Sequence, residues 1–263
     1  MSNRTAPSAS SAAGRSSARA RLSSYALALA ILAGIAAISS GFGWRLGLWY
    51  FRDGFKILEY SVYAAMVAGV LSLVALFWPR RGARRSDTVA ALAGLVVSLA
   101  IAGYPTYFRY IILPSKPYIH DIATDTENPP AFVAALPLRQ GVENSATYGG
   151  PDVAKQQLAG YPEIKPAHFN APPDRVFGAA LALAIDSGWT VTAALPAEGR
   201  IEAFDTTLWY GFKDDIVLRI VADGAGTRVD MRSESRYGRS DFGVNARRIT
   251  KYLAALQDRV AVQ

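Results

Sequence analysis

The stretch 231-MRSESRYGRSDFGVN-245 joins a strand pattern to a helix pattern, and the C-terminal half of the chain is organised around it. It contains three arginines, three serines, two carboxylates, two glycines and one asparagine. Ordinary protein core rarely holds so many polar and turn-forming residues. We therefore expect a functional surface in this stretch, although its residues do not indicate a particular reaction.

Two arginines of this stretch predict an anion site. Arg232 and Arg236 lie on the same face of an extended strand, because successive side chains alternate between the two faces. Asn245 is placed to cap the final helix, and arginines beside a helix N-terminus bind anions. The alternative is an internal role, in which both arginines pair with nearby carboxylates and hold strand, strap and helix together. The candidate partners are Glu234, Asp241 and Asp125.

The segment before this stretch predicts an α+β domain. Residues 173–187 repeat apolar side chains at helical spacing after two prolines, and Gly188 ends that helix. Four strand-type runs follow with short turns between them, at residues 189–195, 200–212, 215–222 and 227–236. Residues 245–260 form a second amphipathic helix pattern. This order predicts a four-stranded antiparallel meander with both helices on one face.

Residues 114–171 are expected to form an extended strap packed over the domain, because residues 114–173 hold ten of the chain's 14 prolines. Within the strap, 120-HDIATDTENPPAF-132 is a second polar cluster. The spacing of Asp121, Asp125 and Glu127 fits no calcium loop and favours turn formation ahead of Pro129. The chain has no cysteine and its two histidines lie far apart, so no metal site is predicted.

The long uncharged runs lie in the first 113 residues and predict a membrane region. Residues 22–42, 57–78 and 88–112 are each apolar and long enough to cross a hydrocarbon layer of about 30 Å. Residues 1–21, which are rich in serine, alanine and arginine, are expected to form a disordered cytoplasmic tail. A signal peptide cleaved near Ser39 and Ser40 is the alternative for the first span.

The charge distribution predicts the orientation of the chain. Residues 1–113 hold 12 Lys/Arg against 3 Asp/Glu, whereas residues 114–263 hold 16 against 18. Basic segments favour the cytoplasm, so the arginines of the tail and of residues 80–85 place the C-terminal domain outside. The predicted location is the periplasmic side of a bacterial inner membrane. The slightly acidic C-terminal domain also argues against nucleic acid as a partner.

The motifs HDIATDTENPPAF and RSESRYGRSDFGVNARRI, separated by a helix and a meander, resemble the domain-of-unknown-function 1499 family over about residues 115–260. In the strap the resemblance marks His120, Asp121, Thr124, Asp125, Pro129 and Pro130 as motif positions. In the C-terminal stretch it marks Arg232, Ser233, Ser235, Arg236, Gly238, Asp241, Gly243, Asn245 and Arg248. The family implies bacterial or plastid proteins that often carry membrane segments, and it implies no established activity.

Two function classes follow from these observations. The first is a non-catalytic module that binds an anionic lipid, a glycan or an envelope protein. Its candidate binding residues are Arg232, Ser235, Arg236, Asp241, Asn245, Arg248, His120, Asp121 and Asp125. The second is an envelope hydrolase with His120 or Asp241 as base, which requires the two side chains within hydrogen-bond reach in a deep pocket. The sequence has no nucleophile elbow or paired carboxylates and favours binding, without a cofactor.

Overall fold

The computed structural model describes residues 9–78 and 84–262. The chain divides into two compact units at the boundary between Ile112 and Leu113. Among the described residues there are six α-helices and one antiparallel sheet, which confirms the mixed α+β class.

The first unit contains three long helices, α1 (Ala9–Arg45), α2 (Phe51–Phe77) and α3 (Arg85–Tyr107), and α3 continues into a π-helical segment, Phe108–Ile112. Three segments are long and apolar enough to cross a membrane, namely Ala18–Arg45, Phe51–Phe77 and Arg85–Ser115. The predicted spans fall within them, apart from Trp78, which follows α2. The chain therefore has the helices of a membrane protein.

These helices pack through small residues and expose large apolar ones. Ala30 and Ala65 are fully buried, whereas Leu32 and Val70 are 62% and 59% exposed. A Cβ placed on Gly94 would lie 3.3 Å from the backbone of Leu27, so the backbones of α1 and α3 approach closely there. Small residues between helices and large apolar residues outside are typical of helices packed in lipid.

The predicted disordered tail is corrected in part, because α1 already begins at Ala9. Alanine and arginine are strong helix formers, which favours extending the helix beyond the apolar span. Arg19 is almost fully buried, and its guanidinium donates to the Ala75 carbonyl and the Thr88 hydroxyl. Residues 1–8 of the expected tail and residues 79–83 of the second loop lie outside the described residues.

The second unit is a sheet with helices. Its strands are β1 (Asp121–Ala123), β2 (Ala167–Phe169), β3 (Thr190–Leu195), β4 (Arg200–Thr206), β5 (Lys213–Asp223) and β6 (Gly226–Ser235). Its helices are α4 (Gly150–Gly160), α5 (Pro173–Asp186) and α6 (Val244–Val262). The strand order is β1-β6-β5-β4-β3, and β2 also pairs with β6. All pairs are antiparallel.

The expected meander is present as β3 to β6, but the predicted number of four strands is wrong. Two short segments of the strap, β1 and β2, pair with β6 and give a six-stranded sheet. Each has three residues, which is too short for a recognisable alternation of apolar and polar side chains. The strap is also not extended throughout, because α4 starts with Pro151 in its first turn, where proline is tolerated.

The end of β4 also differs from the prediction. The strand stops at Thr206 because residues 207–212 fold into a turn, in which the Thr207 N–H donates to the Phe212 carbonyl at 2.8 Å. Gly211 has a φ of 67°, which favours glycine. The expected turn at Lys213 and Asp214 is instead the start of β5.

The sheet has one apolar face and one charged face. Helices α5 and α6 both pack on the apolar face, where Val176 and Leu256 meet Leu218 and Met231 in one core. Because strand side chains alternate, the neighbouring residues point to the other face. That face is covered by the strap through a small cluster of Phe132, Ala135, Val217 and Ala146.

Candidate functional site

Three strands of the charged face and the strap place arginines and carboxylates side by side, and these side chains form a buried ion-pair network. The network consists of Asp121 from β1, Asp215 from β5, Arg232 and Glu234 from β6, Arg236 just after β6, and Arg139 from the strap. The network holds three arginines and three carboxyl groups. Each member is at most 7% exposed.

Both motif arginines make two-pronged contacts with a single carboxylate. Arg232 donates to Asp121 through Nε at 2.9 Å and Nη2 at 2.8 Å. Arg236 donates to Asp215 through Nε at 2.9 Å and Nη2 at 2.7 Å. This fork geometry gives the strongest class of hydrogen bond in proteins and is specific to arginine.

A third arginine comes from the strap and joins the two pairs. Arg139 donates to Asp215 at 2.5 Å and to Glu234 at 2.9 Å. The Phe132 ring contacts both Arg139 and Arg232, with its centroid 5.8 Å and 4.7 Å from their guanidinium carbons. Arg139 was not predicted from the sequence, because it lies outside both motifs and nothing in its local sequence indicates a buried cation.

Glu202 of β4 fixes the strap to the charged face. Its carboxylate is fully buried and accepts the backbone N–H groups of Val133, Ala134 and Ala135 at 2.9–3.1 Å. It also accepts a hydrogen bond from Arg200. Three consecutive amides around one carboxylate make an anion nest whose anion is supplied by the protein itself.

Arg232 and Arg236 therefore have the contacts of the internal role, because both are buried and paired with carboxylates. Among the expected partners, Glu234 lies 3.4 Å from Arg232. Asp125 instead pairs with Arg219 and Arg228 at the more exposed end of the sheet. It also accepts the N–H groups of residues 127 and 128, which is the turn-forming role expected from its sequence.

Glu234 is a network member with a shifted pKa. Burial, with a smaller contribution from the Asp121 carboxylate, raises the pKa of Glu234 to about 8, although two arginines oppose the shift. The folded protein then binds a proton that the unfolded chain has released. This contribution to stability is fully present below the ordinary pKa of 4.5 and is lost as pH rises through about 8.

We expect the thermal midpoint of the full-length protein in detergent to fall as pH rises from 5 toward 8, and Glu234→Gln to flatten this dependence. The glutamine has no carboxyl proton to lose, so one titrating group is removed. Glu163→Gln, at an exposed site, is the matched control and should keep the wild-type slope. An unchanged slope in Glu234→Gln would contradict the assignment.

The remaining motif residues meet on the helix side of β6. The Ser233 hydroxyl donates to the side-chain oxygen of Asn245 at 2.7 Å. The side-chain amide of Asn245 donates to the His120 backbone carbonyl at 2.9 Å and to the Ser235 hydroxyl at 3.1 Å. Arg248 donates to Asn245 and Ser233, and its other nitrogen pairs with Asp205 and Asp214. These contacts join the strap, the sheet and α6.

Asp241 caps α6, and the prediction that Asn245 caps this helix is wrong. The Asp241 carboxylate accepts the N–H groups of Gly243 at 2.9 Å and Asn245 at 2.7 Å. Burial raises the pKa of Asp241, and these two hydrogen bonds oppose the shift. Asn245 lies inside the first turn of α6 and is fully buried, so its side chain bonds the strap instead.

His120 and Asp241 do not form an acid–base pair in the part of the chain that the structure describes. His120 Nδ1 lies 3.4 Å from the Arg239 carbonyl, while Asp241 is used by the helix cap. Within residues 9–78 and 84–262 there is also no cluster of three metal-ligating side chains. A groove in the domain is lined by other residues, among them Phe177, Glu198 and Ile220.

A second group of side chains converges where the chain enters the domain, and we call Lys116, Tyr161, Gly243 and Arg247 the entry cluster. A Cβ placed on Gly243 would lie 2.9 Å from Tyr161 Oη, 3.5 Å from Arg247 Nη1 and 3.7 Å from Lys116 Cδ. The Lys116 ammonium also lies 5.8 Å from the Tyr161 ring centroid. Gly243, with a φ of 78°, provides the space in which these three side chains meet.

The entry cluster has a buried polar group without a protein partner. The Tyr161 hydroxyl is buried and, among the described residues, makes no hydrogen bond. Burial and then the Asp241 carboxylate raise the pKa of Tyr161 to about 12, so the hydroxyl is a neutral donor. No carboxylate of the described residues forms a salt bridge with Lys116 or Arg247. The residues of the entry cluster were not predicted from the sequence, because they are scattered along the chain.

Of the comparisons with known proteins, the match to a family model agrees with the C-terminal motif. No curated protein is significantly similar to the chain. The crystal structure of TTHA0849 from Thermus thermophilus matches 37% of this chain and 94% of its own at 17% identity, with a TM-score of 0.24. The family described as "Protein of unknown function (DUF1499)" matches residues 121–256, more than half of the 263 residues, and the family resemblance is confirmed. The chain thus belongs to the DUF1499 family.

Proposed function

We propose that this protein is a membrane-anchored, non-catalytic module that binds an anionic group at the entry cluster. The observation that carries the proposal is the Tyr161 hydroxyl, which is buried, lacks a partner among the described residues and faces Lys116 and Arg247. A buried donor without an acceptor costs about 1–3 kcal/mol. An anionic oxygen would satisfy this donor and neutralise the two cations.

The ligand chemistry is that of a phosphate or a carboxylate. Asp241 already accepts the amides at the start of α6, so the ligand depends on side chains and not on the helix amides. Lys116 directly follows the third candidate span, which ends at Ser115. Basic residues next to a span attract acidic lipid headgroups, by about 1 kcal/mol each. A phospholipid headgroup is therefore the favoured ligand, ahead of an acidic glycan or a protein partner.

A phosphate titration of the full-length protein in detergent tests this proposal. We expect wild type to bind inorganic phosphate in equilibrium dialysis, and Tyr161→Phe to weaken binding by at least about tenfold, since a hydrogen bond to a charged group is lost. Lys116→Gln and Arg247→Gln should weaken binding further. Because the buried Tyr161 hydroxyl has no acceptor among the described residues, the phenylalanine removes this cost and should raise the thermal midpoint of the unliganded protein.

The control is Lys251→Gln, which removes an exposed cation of α6, the helix that carries Arg247, outside the entry cluster. It should bind phosphate like wild type. Parallel titration with glucuronate distinguishes a carboxylate site from a phosphate site. Equal phosphate affinity in wild type and Tyr161→Phe would sink the proposal.

We also propose that the C-terminal domain lies outside the cytoplasm, on the periplasmic side of a bacterial inner membrane. The support is the excess of basic residues at the N-terminus and between the second and third spans. Alkaline phosphatase fused after Gln263 should be active, and the same reporter inserted at residues 80–85 should be inactive. The reverse pattern of activity would overturn this orientation.

A further inference from the structure

The turn between β4 and β5, residues 207–212, exposes apolar side chains, and we call it the aromatic loop. Leu208 is 84% exposed and Trp209 is 37% exposed. The loop is closed by hydrogen bonds from the Thr207 and Gly211 amides and from the Phe212 amide to the Thr207 hydroxyl. These bonds hold Leu208 and Trp209 at the surface instead of letting them fold into the core.

Aromatic rings support the loop from below. The ring centroids of Trp209 and Tyr210 are 5.1 Å apart, and those of Tyr210 and Phe212 are 5.2 Å apart in a stacked arrangement. Tyr237, just after β6, extends the row, with its ring 6.5 Å from that of Phe212. Tyr210 is only 6% exposed, whereas Leu208 and Trp209 are exposed and form the outer edge of the row.

The aromatic loop lies at the end of the sheet where the chain enters the domain. Thr206 pairs with Lys213, and Ser235 pairs with Asp214, so β4, β5 and β6 all have an end here. Residues 116–120, which we call the entry segment, meet the same end of the sheet, because the Ser235 N–H donates to the His120 carbonyl. Only residues 116–120 lie between the end of the third candidate span and β1, a reach of at most about 20 Å.

Among the described residues of the second unit, the two most exposed large apolar side chains are Leu208 and Tyr118, at 84% and 62%. Tyr118 belongs to the entry segment, so both lie at this end of the sheet. Arg239 and Arg247 are exposed beside the same end and form no salt bridge with a described carboxylate. The turns at the opposite end carry Ala197 and Glu198, and Gly224 and Ala225, at their tips, which are small or acidic.

We infer that the aromatic loop docks on the lipid bilayer, with Leu208 and Trp209 in the boundary between headgroups and acyl chains. Tryptophan and tyrosine favour this layer because their rings are amphipathic. The neighbouring arginines complement acidic headgroups. The short connection to a candidate span keeps this end of the sheet within reach of a bilayer, which is why lipid is chosen over a second copy of the chain or another protein.

The absence of cysteine allows a site-directed test in the full-length protein. Leu208→Cys carries a nitroxide spin label in nanodiscs that contain acidic phospholipid, and Ala197→Cys carries the same label at the opposite end of the sheet. Both side chains are exposed, so neither substitution should change the thermal midpoint. We expect the ratio of oxygen to nickel-chelate accessibility to be several-fold higher at position 208 than at position 197.

Equal ratios at the two positions would overturn the inference, because a label in water collides with the nickel chelate. A label at position 208 that is shielded from both oxygen and nickel would also overturn it, since that result indicates a protein surface and not lipid. The outcome is independent of phosphate binding at the entry cluster, which does not require Leu208.

Discussion

Arg236→Ala is expected to lower the free energy of unfolding of the C-terminal domain by about 3 kcal/mol, because it leaves Asp215 buried without its fork partner. Asp215 is 1% exposed, so water does not replace the lost guanidinium. The expected loss is at the lower end for a broken buried pair, because Arg139 still donates to Asp215. Hydrogen exchange of the β6 amides in the full-length protein measures this loss.

Arg236→Lys and an exposed control sharpen this prediction. Lysine keeps the charge but loses the fork, so we expect an intermediate loss of stability. Arg259→Ala breaks another arginine–aspartate pair, but its side chains are 31% and 60% exposed, and the expected cost is below about 1 kcal/mol. Wild-type exchange rates in Arg236→Ala would show that the network does not stabilise the domain.

Glu202→Ala is expected to release the strap and to cost about 3 kcal/mol, because three backbone N–H groups lose their common acceptor. Of these, the Ala135 amide is deepest, since Ala135 is 1% exposed. The strap around Arg139 should then open, and trypsin should cleave after Arg139 much faster than in wild type. Peptide mapping after limited digestion of the full-length protein identifies the cut.

Glu198→Ala is the matched control, because Glu198 also binds Arg200 but is exposed and holds no strap amide. Its digestion pattern and stability should remain those of wild type. If Glu202→Ala and Glu198→Ala were cleaved at the same rate, the strap would be held by contacts other than the Glu202 carboxylate.

The sequence by itself determined the parts of this protein that depend on local patterns. Three apolar runs predicted the three candidate spans, and alternating side chains predicted the meander of β3 to β6. Helical spacing of apolar residues predicted α5 and α6, and the polar motif identified the family. In each case the signal lies within a window of neighbouring residues, where side-chain periodicity is set by backbone geometry.

Only the tertiary structure decided which charges meet. The Arg139–Asp215 and Arg232–Asp121 pairs join residues 76 and 111 positions apart, and Glu202 holds amides 67–69 positions away. The tertiary structure likewise decides the pairing of the three-residue strands β1 and β2 with β6. It also brings Lys116, Tyr161 and Arg247 together at Gly243. The sequence gives the charge of each side chain. The partner that neutralises this charge depends on how distant segments pack, which no local periodicity encodes.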